Sequence, residues 1–324
     1  MIDEFEKLFE PEYGEVAPEV TIPPVQDMDY ENANMWRAKT LPDSIAEIHT
    51  RMKKCNCYEK LMEVPVVNTY MVRENNIIIP LRIYSPAQEG VFPILLFYHG
   101  GGFSMNNMDV YDYQCRYMAR FGQAVVIACE YRLMPEDRFP AGLEDCYATL
   151  EWAVKHAERY QGDTSKIIVC GDSSGGNFAA AITQIARDRK GPEISKQILI
   201  YPLVTLQQNK RYRSEERYGK GYFLEYNSQK EPFKLYFRPE DEDKKTEPYC
   251  SPLLAKEMKG LPPALILAAE CDPLLDQGLM YAKRLKDAGI KVEYHMYKGM
   301  IHGFFNYTYG KSFECLDEIC RVMK

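Results

Sequence analysis

Apolar runs that alternate with amphipathic stretches recur between residue 94 and the end of the chain. Six runs have the length and composition of buried strands, at residues 94–98, 124–129, 167–170, 197–200, 264–269 and 291–297. Helical spacing of apolar residues separates them at residues 109–120, 141–160, 177–189, 275–288 and 313–323. Buried strands that alternate with helices predict an α/β fold with a mostly parallel central sheet and helices on both of its faces.

The pattern before residue 94 is different. Residues 41–62 have apolar residues at helical spacing, which predicts an amphipathic helix. Residues 64–73 and 77–84 alternate between apolar and polar. They predict an antiparallel pair of strands joined by a turn at residues 74–76.

Residues 205–250 interrupt the alternation with a polar stretch that is rich in Tyr and Phe and has no strand signal. A long insertion between core elements is often a lid. We therefore predict a helical cap in which residues 1–60 and 205–250 cover the carboxyl ends of the strands. The α/β core is then divided into residues 61–204 and 251–324. The alternative is an insertion that only covers hydrophobic surface.

Composition and charge exclude several classes of protein. The 324 residues are 46% hydrophobic, which is enough for a large core. A formal net charge of −7 disfavours nucleic acid as a partner, since phosphate binding requires a cationic surface. No apolar run is long enough for a membrane span, and the acidic N-terminus lacks the apolar region of a signal peptide. The oligomeric state stays open, and a homo-oligomer fits the sequence.

The ten cysteines are scattered through the predicted strands and helices. That distribution favours a reducing, cytoplasmic location over a disulfide framework. Cys55 and Cys57 have the spacing of half a metal site, but no Cys/His cluster completes it. We therefore predict no metal site.

The strand at 167–170 leads directly into Gly-Asp-Ser-Ser-Gly at 171–175, and a helical pattern begins at Asn177. A Gly-x-Ser-x-Gly between a strand and a helix is typical of a nucleophile elbow, a tight turn that projects the serine hydroxyl above the sheet. An ordinary Gly-rich turn and a phosphate-binding loop are the alternatives, and the second would carry Gly-Lys-Ser/Thr. We predict Ser173 as the nucleophile. Ser174 is its rival, although its motif would start at an aspartate instead of a glycine.

A serine hydroxyl needs a base to take its proton, and the base needs an orienting carboxylate. Of the five histidines, only His295 and His302 follow Ser173. His295 lies inside a predicted strand and is expected to face solvent or a neighbouring strand. His302 lies in a loop beyond a strand's carboxyl end, where active-site groups gather in open α/β sheets. We therefore predict His302 as the base.

The carboxylate is expected just past the strand at 264–269. Asp272 is the first short carboxylate there, and Pro273 stiffens the turn behind it. Glu270 and Asp276 are rivals, although Asp276 is also typical of a helix N-terminus. We predict Asp272 as the acid.

A run of glycines after the strand at 94–98 supplies candidate hydrogen-bond donors. His99 precedes three glycines, of which Gly101 and Gly102 are the last two. A loop without side chains can turn its amides toward a substrate carbonyl. We predict the backbone N–H groups of Gly101, Gly102 and Ser174 as an oxyanion hole. His99 is expected to brace this loop, and a merely flexible turn is the alternative.

Six motifs occur in order along the chain. They are His-Gly-Gly-Gly-Phe at 99–103, Tyr-Arg-Leu-Met-Pro-Glu at 131–136, Phe-Pro-Ala at 139–141, Gly-Asp-Ser-Ser-Gly-Gly at 171–176, Asp-Pro-Leu at 272–274 and His-Gly-Phe at 302–304. Together they resemble the hormone-sensitive-lipase family of α/β-hydrolases, which includes bacterial acetyl esterases and carboxylesterases. Three residues depart from the family pattern: Glu130 replaces the usual Asp, Ser174 the usual Ala, and Leu275 the usual Arg.

The resemblance implies an α/β-hydrolase fold, a triad of Ser173, Asp272 and His302, and the oxyanion donors named above. It also implies no cofactor and small-molecule esters with short acyl chains as substrates. The predicted activity is that of a serine carboxylesterase that forms an acyl-enzyme. Two rival functions share the fold: a serine peptidase or amidase, and a non-catalytic ligand-binding protein. The plant gibberellin receptors are of the second kind and lack the histidine.

Overall fold

A computed structural model describes residues 13–18, 20–22, 29–207, 212–225, 233–307 and 310–324. Within these residues the centre is an eight-stranded sheet with the strand order β1-β2-β4-β3-β5-β6-β7-β8. The strands are β1 (Val66–Val72), β2 (Ile78–Tyr84), β3 (Phe92–Tyr98), β4 (Val125–Cys129), β5 (Gly162–Asp172), β6 (Lys196–Ile200), β7 (Ala264–Cys271) and β8 (Val292–Ile301). The pairs β1–β2 and β2–β4 are antiparallel, and the other neighbouring pairs are parallel.

Helices cover both faces of the sheet because the central strands are apolar on both sides. In β3, Ile94 and Leu96 belong to one hydrophobic core, whereas Leu95 and Phe97 belong to the other. The α-helices are Ala33–Met52, Tyr58–Met62, Asp112–Gly122, Ala141–His156, Ser174–Asp188, Arg213–Tyr218, Leu275–Asp287 and Lys311–Met323. The predicted α/β-hydrolase type of fold, with a mostly parallel sheet between helices, is confirmed.

Two strands extend further than their apolar runs predict. β5 begins at Gly162 and continues to Asp172, and β8 continues to Ile301. Ile301 pairs with Cys271 of β7 beyond an irregularity in the register. Pairing with a neighbouring strand extends β8 past its local sequence signal. As a result, His302 directly follows the carboxyl end of β8.

The prediction of one helix over residues 41–62 was wrong. The structure has a longer helix, Ala33–Met52, which runs through Pro42, and a separate short helix, Tyr58–Met62. Proline removes one helical hydrogen bond. Ala33 and Arg37 are buried, so contacts of the first two turns with the rest of the protein offset that loss.

The predicted cap segments are only partly described, since residues 1–12, 19, 23–28, 208–211 and 226–232 lie outside the described residues. The described part of 205–250 contains the helix Arg213–Tyr218, a helical turn at 233–236 and a 3₁₀ segment, Pro239–Thr246. Among the helices described, none combines the length and the apolar character needed to cross a bilayer.

Candidate active site

Ser173 lies between the end of β5 and the start of the helix Ser174–Asp188, in a strained backbone conformation. Its φ is 54° and its ψ is −117°, a region that non-glycine residues rarely adopt. The N–H of Ser173 donates to the carbonyl of Ile200 at 2.9 Å. A strand–turn–helix junction of this kind presents the side chain at the top of the sheet.

His302 and Asp272 lie beside Ser173, each just past the carboxyl end of its strand. The Nε2 of His302 is 2.9 Å from the Oγ of Ser173, and its Nδ1 is 2.7 Å from the Oδ2 of Asp272. Asp272 is fully buried and His302 is 5% exposed. The other oxygen of Asp272, Oδ1, accepts the N–H of Leu274 at 2.8 Å. The structure therefore brings together the three side chains that the sequence singled out.

The rival residues lie elsewhere or are engaged by other groups. His295 is half-buried within β8, opposite Leu267 of β7. Glu270 accepts the N–H of Gly299 at 2.7 Å. Asp276 accepts the N–H of Ser214 at 2.9 Å. Glu270 and Asp276 therefore hold neighbouring segments in place and do not orient His302.

The glycine loop after β3 adopts positive φ values, which glycine tolerates. The φ of Gly101 is 126°, and a Cβ there would lie 2.2 Å from the carbonyl oxygen of Met105. The φ of Gly102 is 59°. The N–H groups of Ser104 and Met105 both donate to the carbonyl of Gly101, at 3.0 and 2.9 Å. These bonds close a tight turn beside the elbow.

His99 is packed as a brace for this loop. Its ring stacks on Tyr131 with the ring centroids 4.3 Å apart, and its Nδ1–H donates to the carbonyl of Gly100 at 2.8 Å. Burial lowers the pKa of His99 to about 4, so the imidazole is neutral near pH 7. The hydroxyl of Tyr131 donates to the carbonyl of His99 at 2.6 Å.

Asp172 connects the elbow to the glycine loop, a role that the sequence did not reveal. One carboxylate oxygen accepts the N–H of Gly100 at 2.7 Å, and the other accepts the hydroxyls of Tyr111 and Tyr201 at 3.0 and 3.3 Å. Burial raises the pKa of Asp172 to about 6, although these hydrogen bonds oppose the rise. The ring of Tyr201 also lies 4.6 Å from that of His302, centroid to centroid.

Aromatic side chains from the predicted cap contact the residue that follows the glycine loop. Phe103 stacks on Tyr236 with centroids 4.3 Å apart and an interplanar angle of 9°. Phe103 also packs against Phe178 of the elbow helix, with the ring centroids 5.1 Å apart. This cluster places the segment 233–236 against the loop that carries Gly101 and Gly102.

No metal cluster is formed by the described part of the chain: no group of three or more His, Cys, Asp or Glu side chains has suitable spacing there. Cys55 and Cys57 are free thiols, and the N–H of Cys57 contacts the Sγ of Cys55 at 3.3 Å. Burial raises the pKa of Cys57 to about 12, which keeps the thiol protonated.

A family model described as alpha/beta hydrolase fold matches residues 95–306. Carboxylic ester hydrolase LipN of Mycobacterium tuberculosis is 39% identical over 70% of this chain and 61% of LipN. Carboxylesterase NlhH of the same species is 32% identical over 89% of this chain and 86% of NlhH. Ethyl acetate hydrolase of Pseudomonas putida is 36% identical over 70% of this chain and 71% of that protein.

Solved structures agree with the sequence relatives. A crystal form of the Pyrobaculum calidifontis esterase has a TM-score of 0.82 and 33% identity, and the match covers 92% of this chain and 93% of the esterase. Fold, site and relatives together define the class of carboxylic ester hydrolases. The chain belongs to the hormone-sensitive-lipase family of α/β-hydrolases, as its motifs indicated.

Proposed function

We propose that this ester hydrolase is a serine carboxylesterase that acts on short-chain acyl esters through an acyl-enzyme. One observation carries the mechanism: the imidazole of His302 bridges the Oγ of Ser173 at 2.9 Å and the carboxylate of Asp272 at 2.7 Å. Both are hydrogen-bond distances, as the proton relay that activates a serine requires.

The proton path follows from this geometry. The carboxylate of Asp272 accepts Nδ1–H, which leaves the lone pair of Nε2 directed at the hydroxyl of Ser173. As Oγ attacks the ester carbonyl, its proton passes to Nε2, and the imidazolium is stabilised by Asp272. His302 then protonates the leaving alcohol, and a water molecule repeats the steps to release the acid.

The N–H groups of Gly101, Gly102 and Ser174 are the proposed donors to the oxyanion of the tetrahedral intermediate. Gly101 and Gly102 lie in the turn beside the elbow, and Ser174 is the first residue of a helix whose N-terminus favours negative charge. Fixed donors of this kind stabilise charge that develops only in the transition state.

The cap is proposed to consist of residues 1–60 and 205–250 over the two core parts, 61–204 and 251–324. Two contacts support it. The hydroxyl of Tyr218 donates to the carbonyl of Gly14 at 3.0 Å, which joins the two cap segments, and Tyr236 stacks on Phe103 of the core. We expect the aromatic rings of these segments to limit the room for the acyl group, and the Pseudomonas relative is named for an acetyl ester.

A cytoplasmic location is part of this proposal. All ten cysteines are free thiols, and eight of them are buried. Free thiols in this number persist in a reducing compartment.

Replacement of the nucleophile tests the mechanism. Ser173→Ala should abolish hydrolysis of p-nitrophenyl acetate and butyrate and should block covalent labelling by a fluorophosphonate, because the hydroxyl that contacts Nε2 of His302 is lost. Ser174→Ala is the matched control, since it keeps the backbone N–H and should remain active and labelled. A Ser173→Ala enzyme with undiminished turnover would rule out the serine mechanism.

A further inference from the structure

Arg37 is a buried cation in the second turn of the N-terminal helix, Ala33–Met52. Its side chain is only 10% exposed. A buried guanidinium is costly unless its donors are satisfied, so its partners indicate what the contact is for. Arg37 was not singled out by the sequence.

The guanidinium of Arg37 reaches across to the core. Its Nη1 donates to the carbonyl of Ser104 at 2.8 Å and points toward the carbonyl of Met134 at 3.4 Å. Its Nη2 donates to Glu136 at 2.6 Å and to Asn34 at 2.6 Å. The rigid fork of a guanidinium can hold such acceptors at fixed positions together.

Ser104 belongs to the turn that carries the proposed oxyanion donors. Its N–H donates to the carbonyl of Gly101 at 3.0 Å, and Met105 donates to the same carbonyl. The neighbouring Phe103 accepts the N–H of Met134 at 2.9 Å. Arg37 therefore contacts Ser104, which is hydrogen-bonded to Gly101. It also contacts Met134, which is hydrogen-bonded to Phe103.

The backbone conformation of this turn is unfavourable, so contacts with surrounding residues must stabilise it. Two non-glycine residues in it, Phe103 and Asn106, have φ values of 64° and 70°. Side chains rarely tolerate such conformations, which persist only when the surroundings enforce them. Small displacements of a donor also matter, since a shift of about 1 Å can reduce turnover about 10²-fold.

We infer that Arg37 is a positioning residue for the oxyanion donors, supplied to the core by the N-terminal segment. This inference rests on the proposed serine mechanism and adds to it that the amides of Gly101 and Gly102 depend on a guanidinium on another element. Arg37 touches no reacting atom. It acts through the carbonyl of Ser104.

The test is the split between kcat and KM in Arg37→Met. We expect kcat for p-nitrophenyl butyrate to fall about 10- to 100-fold while KM changes by less than about threefold. Arg284→Met is the matched control, because Arg284 also donates to two backbone carbonyls, Leu253 and Ala255, outside the oxyanion turn. It should lower the melting temperature without this loss of kcat.

A second measurement separates positioning from simple docking of the helix. A trifluoromethyl ketone forms a hemiketal whose oxyanion occupies the donor site, so its Ki should rise about as much as kcat/KM falls. The Ki of butanol, which forms no oxyanion, should stay within about twofold. Glu136→Gln removes the ion pair but keeps the Ser104 contact, and its kcat and trifluoromethyl ketone Ki should stay near the wild-type values.

The outcomes separate the role of Arg37 from the proposed serine mechanism. A wild-type enzyme that neither hydrolyses the ester nor is labelled at Ser173 would refute both hypotheses. An active wild type with unchanged kcat and trifluoromethyl ketone Ki in Arg37→Met overturns the role of Arg37 alone, as does an equal loss in Glu136→Gln. If Arg37→Met does not fold, Arg37→Lys decides, since an ammonium lacks the fork and unchanged values there refute the inference.

Discussion

At the scale of single residues, Gly175 sets the distance between the elbow and the oxyanion turn. A Cβ at this position would lie 2.0 Å from the carbonyl oxygen of Tyr98, the last residue of β3. The obstacle is backbone, which has no alternative rotamer. The two loops can approach each other only because this residue has no side chain.

Gly175→Ala should therefore destabilise the protein by at least about 3 kcal/mol, because β3 and the elbow must move apart. Urea denaturation measures the loss. Gly278→Ala is the matched control: its Cβ would meet only the side chain of Pro202, at an ordinary 3.7 Å. We expect that change to stay within about 1 kcal/mol. Equal stability of the two variants would contradict this account.

Single-sequence reasoning singled out Ser173, Asp272 and His302, which the structure brings together, because each follows the carboxyl end of a strand, where the fold gathers its reactive groups. It did not find Tyr111 or Arg37. Tyr111 is 61 positions from Asp172, and Arg37 is 67 positions from Ser104. A lone tyrosine or arginine carries no local signal of such a distant partner.

At the scale of elements, the proposed cap and the core meet through aromatic rings. Tyr236 of the turn at 233–236 stacks on Phe103, and Phe139 packs against Tyr236 with centroids 5.7 Å apart. Phe103 follows directly after Gly102. A change in this cluster therefore alters the space next to the proposed oxyanion donors.

We expect Tyr236→Leu to widen that space and raise the ratio of octanoate to butyrate hydrolysis several-fold, because we propose that this ring limits the longer acyl chain. The ratio of kcat/KM for p-nitrophenyl octanoate and butyrate measures it. Tyr147→Leu replaces another buried tyrosine, beneath Arg189 on the helix Ala141–His156, and should leave the ratio unchanged. A ratio unaffected in both variants would exclude this limit on chain length.

The elements most poorly predicted were those with little local pattern. The core strands were located because each is an unbroken apolar run. The helix Ala33–Met52 was placed too late in the chain, since its first turns are fixed by the contacts of Arg37 with Ser104 and Glu136. Contacts between distant segments, which one sequence does not display, decide where such a helix begins.

At the scale of the whole molecule, Glu130 links pH to folding stability. It follows β4, and its carboxylate accepts the N–H of Met108 at 2.9 Å. Burial raises the pKa of Glu130 to about 7; Asp109 adds to the rise, whereas Met108 and Arg82 oppose it. The folded state then binds this proton more tightly than the unfolded chain, so the associated stability is present at low pH and is lost as pH rises from 4.5 toward 7.

Glu130→Gln should remove this dependence, because the amide cannot ionise and its oxygen can still accept the N–H of Met108. Relative to wild type, the variant should gain roughly 3 kcal/mol of unfolding free energy between about pH 4.5 and pH 8. Urea denaturation of both proteins across that range gives the difference. Parallel curves would show that Glu130 does not titrate in this window.

The left-handed backbone of Ser173 has a consequence for the durability of the protein. A residue held in this conformation costs about 1–3 kcal/mol, and glycine would remove most of that cost. The nucleophile thus lowers the stability of the folded protein. Selection for heat resistance alone, without a demand for turnover, would favour the loss of the nucleophile itself.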